Sequence, residues 1–476
     1  MKNEELHKER IQYFDRIASK LHKYRGSRNY YWGDIEKYCN FYIHEEDSVL
    51  EVGCANGDAL SKLNGRRKVG IDFSSAMIDE ARKLHSDIEF HVMDGHNITL
   101  NEKFDVIIVS NSIGFFDDVQ QVFEEIKKVS HSQTRVIITY YNHLWEPILK
   151  FAEFIGIKQK TPQQSWLSAQ DMENILELAG WEVFRSTRRL LIPFNIPVLS
   201  WLVNKYIAKL PLFNNLCINS YQNARLVQDV NQDVSEKYST TVVIPARNES
   251  GNIENAILRL PKFGKHIEII FVEGNSTDDT WEKIQEIQAK YKDTHDIKIA
   301  RQDGKGKGDA VRKGYSIATG DILMILDADL TVPPEDLPKF YNAIASGKAE
   351  FINGTRLVYP MEKKAMRFLN MLGNKFFSML FSWLLEQPIK DTLCGTKVMF
   401  RRDYERLIKN RKFFGEFDPF GDYDLLFGAY KLNLKILDLP VRYRERTYGD
   451  TNISRFKHGL LLLRMCSFAA GKIKFI

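Results

Sequence analysis

Short apolar runs alternate with helix-length stretches along this chain, and the alternation starts twice, at residue 48 and again at 240. In the first stretch SVLEVG, KVGID, IEFHVMD, FDVIIVSN and TRVIITYY read as strands, with FSSAMIDEARKLH and VQQVFEEIKKVS as helices between them. In the second, TTVVIPA, IEIIFVEG, DILMILDAD and FINGTR read as strands and TWEKIQEIQAKYKD as a helix. Parallel strands need crossover connections, so this rhythm predicts two α/β units, the first on a parallel, doubly wound sheet. Between them LLIPFNIPVLSWLVNKYIAKLPLF carries Pro193, Pro197 and Pro211 and has no strand partner in view. The polar stretch QDVNQDVSEKYS, 228–239, reads as a linker. The expected organisation is 1–227 with helical additions, linker 228–239, and 240–476.

A chain of 476 residues exceeds one ordinary core, which agrees with two units. A net charge of +5 is mild on that length. It argues against a nucleic-acid partner while permitting basic patches beside phosphates or anionic lipid. The cysteines (Cys39, Cys54, Cys217, Cys394, Cys466) are odd in number, scattered and without CxxC spacing. That pattern predicts reduced thiols in a cytoplasmic protein rather than a disulfide frame or a zinc site. The opening MKNEELHKERIQYFDRIASK has no apolar core of a secretory signal. No run approaches the ~20 apolar residues of a spanning helix. MRFLNMLGNKFFSMLFSWLL, 366–385, comes nearest, but Arg367, Asn374 and Lys375 interrupt it. Asn370, Asn374, Ser378 and Ser382 recur every fourth residue and predict one polar stripe on an amphipathic helix.

VLEVGCANGD holds Glu51, Gly53 and Gly57 as E-x-G-x-x-x-G directly after a strand, where absent side chains let a ligand approach the backbone. Asp72 ends the next strand about twenty residues on, the usual place for a carboxylate that accepts ribose hydroxyls. Asp94, closing IEFHVMD, is positioned to accept an adenine amino group. With VGIDFSSAMIDEAR, FHVMDG and FDVIIVSNSIGFFDD in order, residues 45–185 resemble class I S-adenosylmethionine-dependent methyltransferases, with their Rossmann-like fold. The resemblance implies cofactor contacts at Glu51, Gly53, Cys54, Gly57, Asp72, Phe73, Met77, Asp94, Gly95 and Asn111. The chain departs from the family pattern at Ala55, where a middle glycine is usual. A dinucleotide-binding domain is the competing reading of a lone glycine loop. Candidate walls for the methyl acceptor are Tyr30, Tyr31, Asn111, Tyr140, Tyr141 and His143. His143 reads either as a base at neutral pH or as a packing histidine past a strand end.

Asp327 and Asp329 stand at i and i+2 after ILMIL, so an extended strand would point both the same way. Paired carboxylates there are costly without compensation, which Mg2+ or Mn2+ bridging a diphosphate supplies. VVIPARNES, FVEGNSTDDT and GKGKGDAVRKGYSIATGD precede the DADL strand. This order resembles the family 2 glycosyltransferases of GT-A fold, over essentially all of 240–455. Within them the likeness is to dolichyl- and polyprenyl-phosphate glycosyltransferases. It implies a nucleotide pocket at Pro245, Arg247 and Glu249, base and ribose contacts at Glu273, Ser276 and Asp278, and a metal on Asp327 and Asp329. Most relatives carry Asp where Glu273 stands. GKGKGD is no Walker loop, because no Ser or Thr follows a Gly-Lys pair. Lys307 reads as a phosphate-side cation or as a solvated loop lysine.

A phosphate monoester, with a second pKa of about 6, accepts a sugar without a base but needs cations around it. The resemblance offers Arg356, Lys397, Arg446 and Arg455 for that task. At Lys397 an expected arginine is absent, and with it the bidentate fork. Asp422 and Asp424 in FGDYDLL are either a base for a sugar-hydroxyl acceptor or helix caps. The helix around 366–385 is suited either to a bilayer interface or to core packing, and KHGLLLLRMCSFAAGKIKFI also suggests contact with an anionic surface. The reading is a cytoplasmic, peripherally membrane-bound bifunctional enzyme. It would use a nucleotide sugar donor such as GDP-mannose or UDP-glucose, a polyprenyl-phosphate or other lipid-linked acceptor, and S-adenosylmethionine. Its rivals are a polysaccharide glycosyltransferase acting on a hydroxyl, and a first half that only binds or docks.

Overall fold

The computed structural model describes residues 2–27, 29–156, 158–228, 233–356, 368–409, 421–444, 448 and 455–475. Backbone alone is described at 2–4, 23–27, 29, 368–372, 422 and 455–458. The chain divides into two compact units, Met1–Val227 with Phe475–Ile476, and Gln228–Lys474.

The first unit is built on seven strands: β1 (Ser48–Val52), β2 (Arg67–Asp72), β3 (Glu89–Val92), β4 (Phe104–Ser110), β5 (Ser130–Tyr141), β6 (Trp181–Arg189) and β7 (Asn219–Leu226). Their order is β3-β2-β1-β4-β5-β7-β6. Valine and isoleucine fill β1, β2, β4 and β5 because both faces are covered, and Val122, Phe123 and Ile126 of the helix Val119–Lys128 pack on one of them. The order reverses between β1 and β4, which opens a crevice at their C-terminal ends.

The sheet is mixed rather than wholly parallel, since β7 runs antiparallel to β5 and β6. Its sequence, NSYQNARL, has no apolar alternation, so hydrophobic periodicity passes over it. Asn219, Gln222, Asn223 and Arg225 are nonetheless buried. The helix Asn29–Tyr42 satisfies two of them: Tyr31 Oη donates to Asn219 at 2.7 Å and Tyr38 Oη to Asn223 at 2.8 Å. Asp34 on that helix grips the Arg189 guanidinium at 2.8 Å and accepts from Tyr221 Oη at 3.0 Å. A second helix, Lys2–Ser27, sets Ile17 and Ala18 against Met77, with Ala55 and Ala76 alongside.

The second unit also has seven strands: β8 (Ser239–Ala246), β9 (His266–Glu273), β10 (Asp296–Arg301), β11 (Ile322–Ile325), β12 (Phe351–Thr355), β13 (Lys397–Phe400) and β14 (Ile436–Pro440). Their order is β10-β9-β8-β11-β13-β12-β14, with β13 antiparallel to both neighbours. Part of the stretch read as linker is anchored here. Tyr341 Oη donates to the Val234 carbonyl at 2.7 Å and accepts from the Tyr238 N–H at 3.1 Å.

Two expectations change in this unit. Strand β11 stops at Ile325, so Asp327 and Asp329 lie in a turn closed by the Leu330 N–H on the Asp327 carbonyl at 3.0 Å, not on extended backbone. The second change concerns the helix Phe368–Leu385, whose polar stripe faces inward. Asn374 is buried and donates to Asp391 at 2.8 Å, while Ser378 and Ser382 both donate to the Ile389 carbonyl. The Asn370 side chain lies outside the described residues. Phe376 and Met379 are exposed instead, as are Leu460 and Leu463 on the helix Arg455–Ala469. Among the described residues no helix is long and apolar enough to cross a membrane. All five cysteines are buried free thiols.

Burial would raise the Asp34 carboxyl, but the Arg189 guanidinium more than offsets it, lowering the pKa from 3.8 to about 2. A depressed carboxyl stabilises the fold above its unfolded value and ceases to as pH falls through the folded one. The pair therefore contributes about 2–3 kcal/mol above pH ~4 that is lost toward pH ~2. Urea titrations should show Asp34→Asn less stable than the parent at neutral pH, with the gap closing across that interval.

Candidate functional site

In the first unit the loop after β1 folds back over β2, with the Gly53 and Cys54 N–H groups donating to the Ile71 carbonyl at 2.8 and 3.0 Å. Gly53 takes φ +77°, and a Cβ there would lie 2.6 Å from Ser112 Cβ. Gly57 takes φ +73°, and its Cβ would lie 2.5 Å from the Phe90 ring. Handedness and space therefore both demand glycine. Ala55 adopts φ 49° without that freedom, held by its N–H on Asp72 Oδ2 at 2.9 Å. The Ser74 N–H takes the other oxygen at 2.9 Å, so two backbone donors aim the buried Asp72 carboxylate. Glu51 is buried near the end of β1.

Asp94 accepts from the His96 ring at 2.6 Å and from its N–H at 2.9 Å. The ring hydrogen bond lowers the Asp94 carboxyl and raises the His96 imidazole. Cys54 and Met77 are fully buried, which makes them packing residues beneath the loop. Gly95 leaves room for Val52, 3.2 Å from where its Cβ would stand. Phe73 meets the tilted His7 ring and, edge to face, the Phe14 ring of the helix Lys2–Ser27, at 5.8 and 5.7 Å between ring centroids. Ser74 Oγ donates to Asp15 of that helix at 2.5 Å, and the buried Arg10 reaches the Phe115 carbonyl at 2.8 Å and Asp117 at 2.6 Å. Sequence reasoning missed this roof over the loop. Its signal was the helical spacing of Tyr13, Phe14, Ile17 and Leu21.

Beside the loop, Asn111 (φ 52°) donates to Tyr31 Oη at 3.1 Å, and Tyr141 stacks on Trp166. Asn111, Tyr140, Tyr141 and the segment Gln164–Leu167 line a small pocket. Tyr30 points elsewhere, its hydroxyl accepting from Asn204 at 3.0 Å. His143 sits in the turn His143–Trp145 just past β5, outside that lining.

In the second unit, two loops lock together at the ends of β8 and β9. The Asn248 N–H donates to Ser276 Oγ at 3.1 Å, the Thr277 N–H to Asn248 Oδ1 at 2.8 Å, and the Glu249 N–H to Thr280 Oγ1 at 3.0 Å. Glu273 accepts from the Ser276 N–H at 2.5 Å, and Asp278 accepts from Thr280. Pro245 is the penultimate residue of β8 beside them, and the exposed Arg247 follows the strand's end.

Lys307 opens the helix Lys307–Ile317, and its ammonium stands 2.6 Å from Asp327 Oδ1. Gly395 presses against this pair: a Cβ there would lie 2.0 Å from Asp327 Oδ2 and 2.2 Å from Lys307 Nζ. Asp329 Oδ1 is the acceptor for the Thr331 N–H and hydroxyl. The same helix start meets that of Asp422–Lys431, because a Cβ on Gly308 would lie 2.8 Å from the Gly421 nitrogen. Asp424 there faces Arg312 at 4.0 Å. Lys307 and Gly395 thus both close on Asp327, and the Lys307 helix start in turn abuts Gly421.

The cations expected around an acceptor phosphate are placed differently. Arg356 forms a two-pronged pair with the fully buried Asp391, at 2.7 and 2.9 Å, beneath the Tyr443 ring. Lys397 is buried with its ammonium on the Cys394 carbonyl. Arg446 and the side chains of Asp422 and Arg455 lie outside the described residues. Among those described, no three His, Cys, Asp or Glu side chains gather as a metal cluster.

These features define a chain of two α/β units, each with a loop-lined site at the ends of its parallel strands. Residues 43–180 match the family described as Methyltransferase domain, and residues 241–408 match Glycosyl transferase family 2. The chain thus carries a methyltransferase domain of Rossmann-like fold and a family 2 glycosyltransferase domain of GT-A fold. A dolichol-phosphate mannosyltransferase of Pyrococcus furiosus is 30% identical over 222 residues, 45% of this chain and 58% of that protein. A second dolichol-phosphate mannosyltransferase, from Saccharomyces cerevisiae, is 35% identical over 117 residues, 23% of this chain and 42% of that one. The undecaprenyl-phosphate 4-deoxy-4-formamido-L-arabinose transferase of Proteus mirabilis is 24% identical over 221 residues, covering 46% and 63%. The chain spans about half the length of these curated relatives.

Removing one partner of the buried Arg356–Asp391 pair leaves the other charged and unpaired. Asp391→Asn should destabilise the second unit by about 3–5 kcal/mol, read as a lower urea midpoint for that unit's transition.

Proposed function

We propose that the second unit transfers a hexose, with inversion, from a nucleoside diphosphate sugar to a polyprenyl or dolichyl phosphate. The first unit transfers a methyl group from S-adenosylmethionine to a glycan or lipid-linked acceptor. The names of the relatives support a prenyl-phosphate acceptor, and GDP-mannose and UDP-glucose are the donors to try first. A peripheral place on the cytoplasmic membrane surface follows, with the exposed Phe376, Met379, Leu460 and Leu463 toward lipid.

The observation that carries the reading is the Lys307–Asp327 pair under Gly395. Asp327 and Asp329 are the residues that would hold Mg2+ or Mn2+, and their carboxylate oxygens suit an ion whose coordination a diphosphate completes. The bound ion supplies charge neutralisation for the departing diphosphate. Lys307 adds a second positive charge there. Pro245, Arg247 and Glu249 would flank the nucleotide, while Glu273, Ser276 and Asp278 would hold base and ribose. In the first unit the Gly53 and Gly57 loop, Glu51, Asp72 and Asp94 would hold S-adenosylmethionine, whose sulfonium carries the methyl group. Asn111 and Tyr31 would border the reacting centre, with aromatic faces on Tyr141 and Trp166 to favour a cation. Positioning is the chain's main contribution to such a displacement.

A second reading has its own support. Arg356 and Lys397 are committed to internal partners, whereas Asp424 stands beside Arg312 at the converging helix starts. That placement suits a general base for a sugar hydroxyl.

Incubation with a panel of sugar nucleotides, Mg2+ or Mn2+ and short polyprenyl phosphates, followed by mass spectrometry, should reveal a glycosylated prenyl phosphate. A product only with oligosaccharide acceptors would sink the first reading. Asp424→Asn separates the two: a few-fold loss of turnover accompanies a phosphate acceptor, and a loss of about 10²–10⁴ a hydroxyl acceptor. Gly53→Ala should abolish S-adenosylmethionine binding in calorimetry while leaving sugar transfer intact, and undiminished binding would remove the loop from the cofactor site.

A further inference from the structure

The stretch between Leu190 and Cys217, connecting β6 to β7, is built inside out. Its polar side chains are spent on its own backbone. Asn204 accepts from the Leu191 and Ile192 N–H groups at 2.8 and 2.9 Å and donates to the Ile192 carbonyl at 2.8 Å. Ser200 bridges the Ile196 N–H and the Phe194 carbonyl, and Asn214 donates to the Arg188 and Ala208 carbonyls. The large apolar side chains stand outside: Phe194, Val198, Trp201, Leu212 and Leu216 are each more than half exposed. A segment made to close a core does the reverse.

A second apolar element is stitched to it. The helix Glu146–Phe154 exposes Ile148, Phe151 and Phe154. The turn before it is bound to the end of the stretch: Asn142 donates to the Asn215 and Cys217 carbonyls at 3.0 and 2.9 Å, and Trp145 Nε1 donates to the Leu216 carbonyl at 2.8 Å. Both elements lie at one end of the sheet, since Asn219 pairs with Tyr141 on one side and Arg189 on the other. That is the C-terminal end of the parallel strands, where the Gly53 loop and the Tyr140–Trp166 pocket also open. Apolar surface on this scale marks a contact with something other than water.

Charge identifies the contact. No acidic residue occurs from Leu190 to Cys217. Lys205 holds its ammonium over the Trp201 and Tyr206 rings at 5.4 and 6.0 Å. On the neighbouring helix Glu146 and Glu153 are answered by Lys150 and Lys158. Aromatic rings, aliphatic tips and unbalanced lysine are the mixture that suits the headgroup boundary of an anionic bilayer. Hydrogen bonds within the stretch also mean that approach to lipid strips little backbone of water.

We propose that this surface docks the first unit on an anionic bilayer, with Trp201 and Tyr206 at headgroup depth and Leu212 and Phe154 reaching the acyl boundary. If the methyl-transfer reading holds, the acceptor is an amphiphile that enters the pocket from the membrane plane; the docking itself does not depend on that reading.

Because the native cysteines are all buried, one introduced at Leu212 or Phe154, which are 84% and 83% exposed, can carry a polarity-sensitive dye in the full-length chain. Ser132, exposed at the opposite end of β5, takes the control dye. Vesicles of equal parts phosphatidylcholine and phosphatidylglycerol, carrying acyl-chain quenchers, are then added. The expected result is a blue shift and quenching at 212 and 154 and neither at 132. Trp201→Glu should weaken the vesicle titration at 212 about tenfold, roughly the transfer energy of one large apolar side chain. The dye at 212 keeping its aqueous emission while the protein floats with vesicles would overturn the proposal. Shielding at 212 that grows with protein concentration in the absence of lipid would also overturn it, in favour of a second copy.

Discussion

A carboxylate at the end of a buried strand must find a donor for its oxygens, and this requirement shapes both units. Asp72 is answered by the Ala55 and Ser74 N–H groups, which bends the loop after β1 into a left-handed turn that Gly53 and Gly57 alone could occupy without strain. Asp327 is answered by Lys307, which draws the start of a helix against the turn after β11 and leaves no room for a side chain at Gly395. In each case the glycines are a consequence of where the charge sits.

The same rule redirects the cations. Arg356 and Asp391 are both buried, and burial disfavours each charge. Their contact, reinforced by Asn374, nonetheless holds the carboxyl well below the ordinary range and the guanidinium well above it. An arginine in that state is a structural strut joining β12 to the helix Phe368–Leu385. Lys397 is in a similar position, buried on β13 against a backbone carbonyl. A basic residue in the right place along a family pattern is therefore no measure of free positive charge. What counts is the partner, and partners come from distant parts of the chain.

Polar side chains turned inward onto neighbouring backbone appear twice, in the first case beside the buried Phe377, Phe381, Leu384 and Leu385. The polar stripe of Phe368–Leu385 is consumed by the Ile389–Asp391 turn, leaving Phe376 and Met379 exposed. The stretch between β6 and β7 consumes Asn204, Ser200 and Asn214 in the same manner. A helical-wheel argument assumes that polar means outward. That fails wherever a neighbouring loop carries more unsatisfied backbone groups than the surface does.

Much of the fold was present in the sequence. Apolar runs separated by helix-length stretches marked most of the parallel strands, and the spacing of Glu51, Gly53, Gly57 and Asp72 marked the loop between two of them. These are local properties, set by which side chains tolerate burial on both faces of a strand and which backbone angles a turn requires. Tertiary structure decided the rest. Strand β7 is polar and became a strand because tyrosines on Asn29–Tyr42, about 190 residues earlier, pair with its asparagines. The roof of Lys2–Ser27 shares that origin, through Arg10 on Asp117 and Asp15 on Ser74. Each depends on a hydrogen bond or ion pair between residues far apart in the chain, and no local pattern encodes which partner arrives.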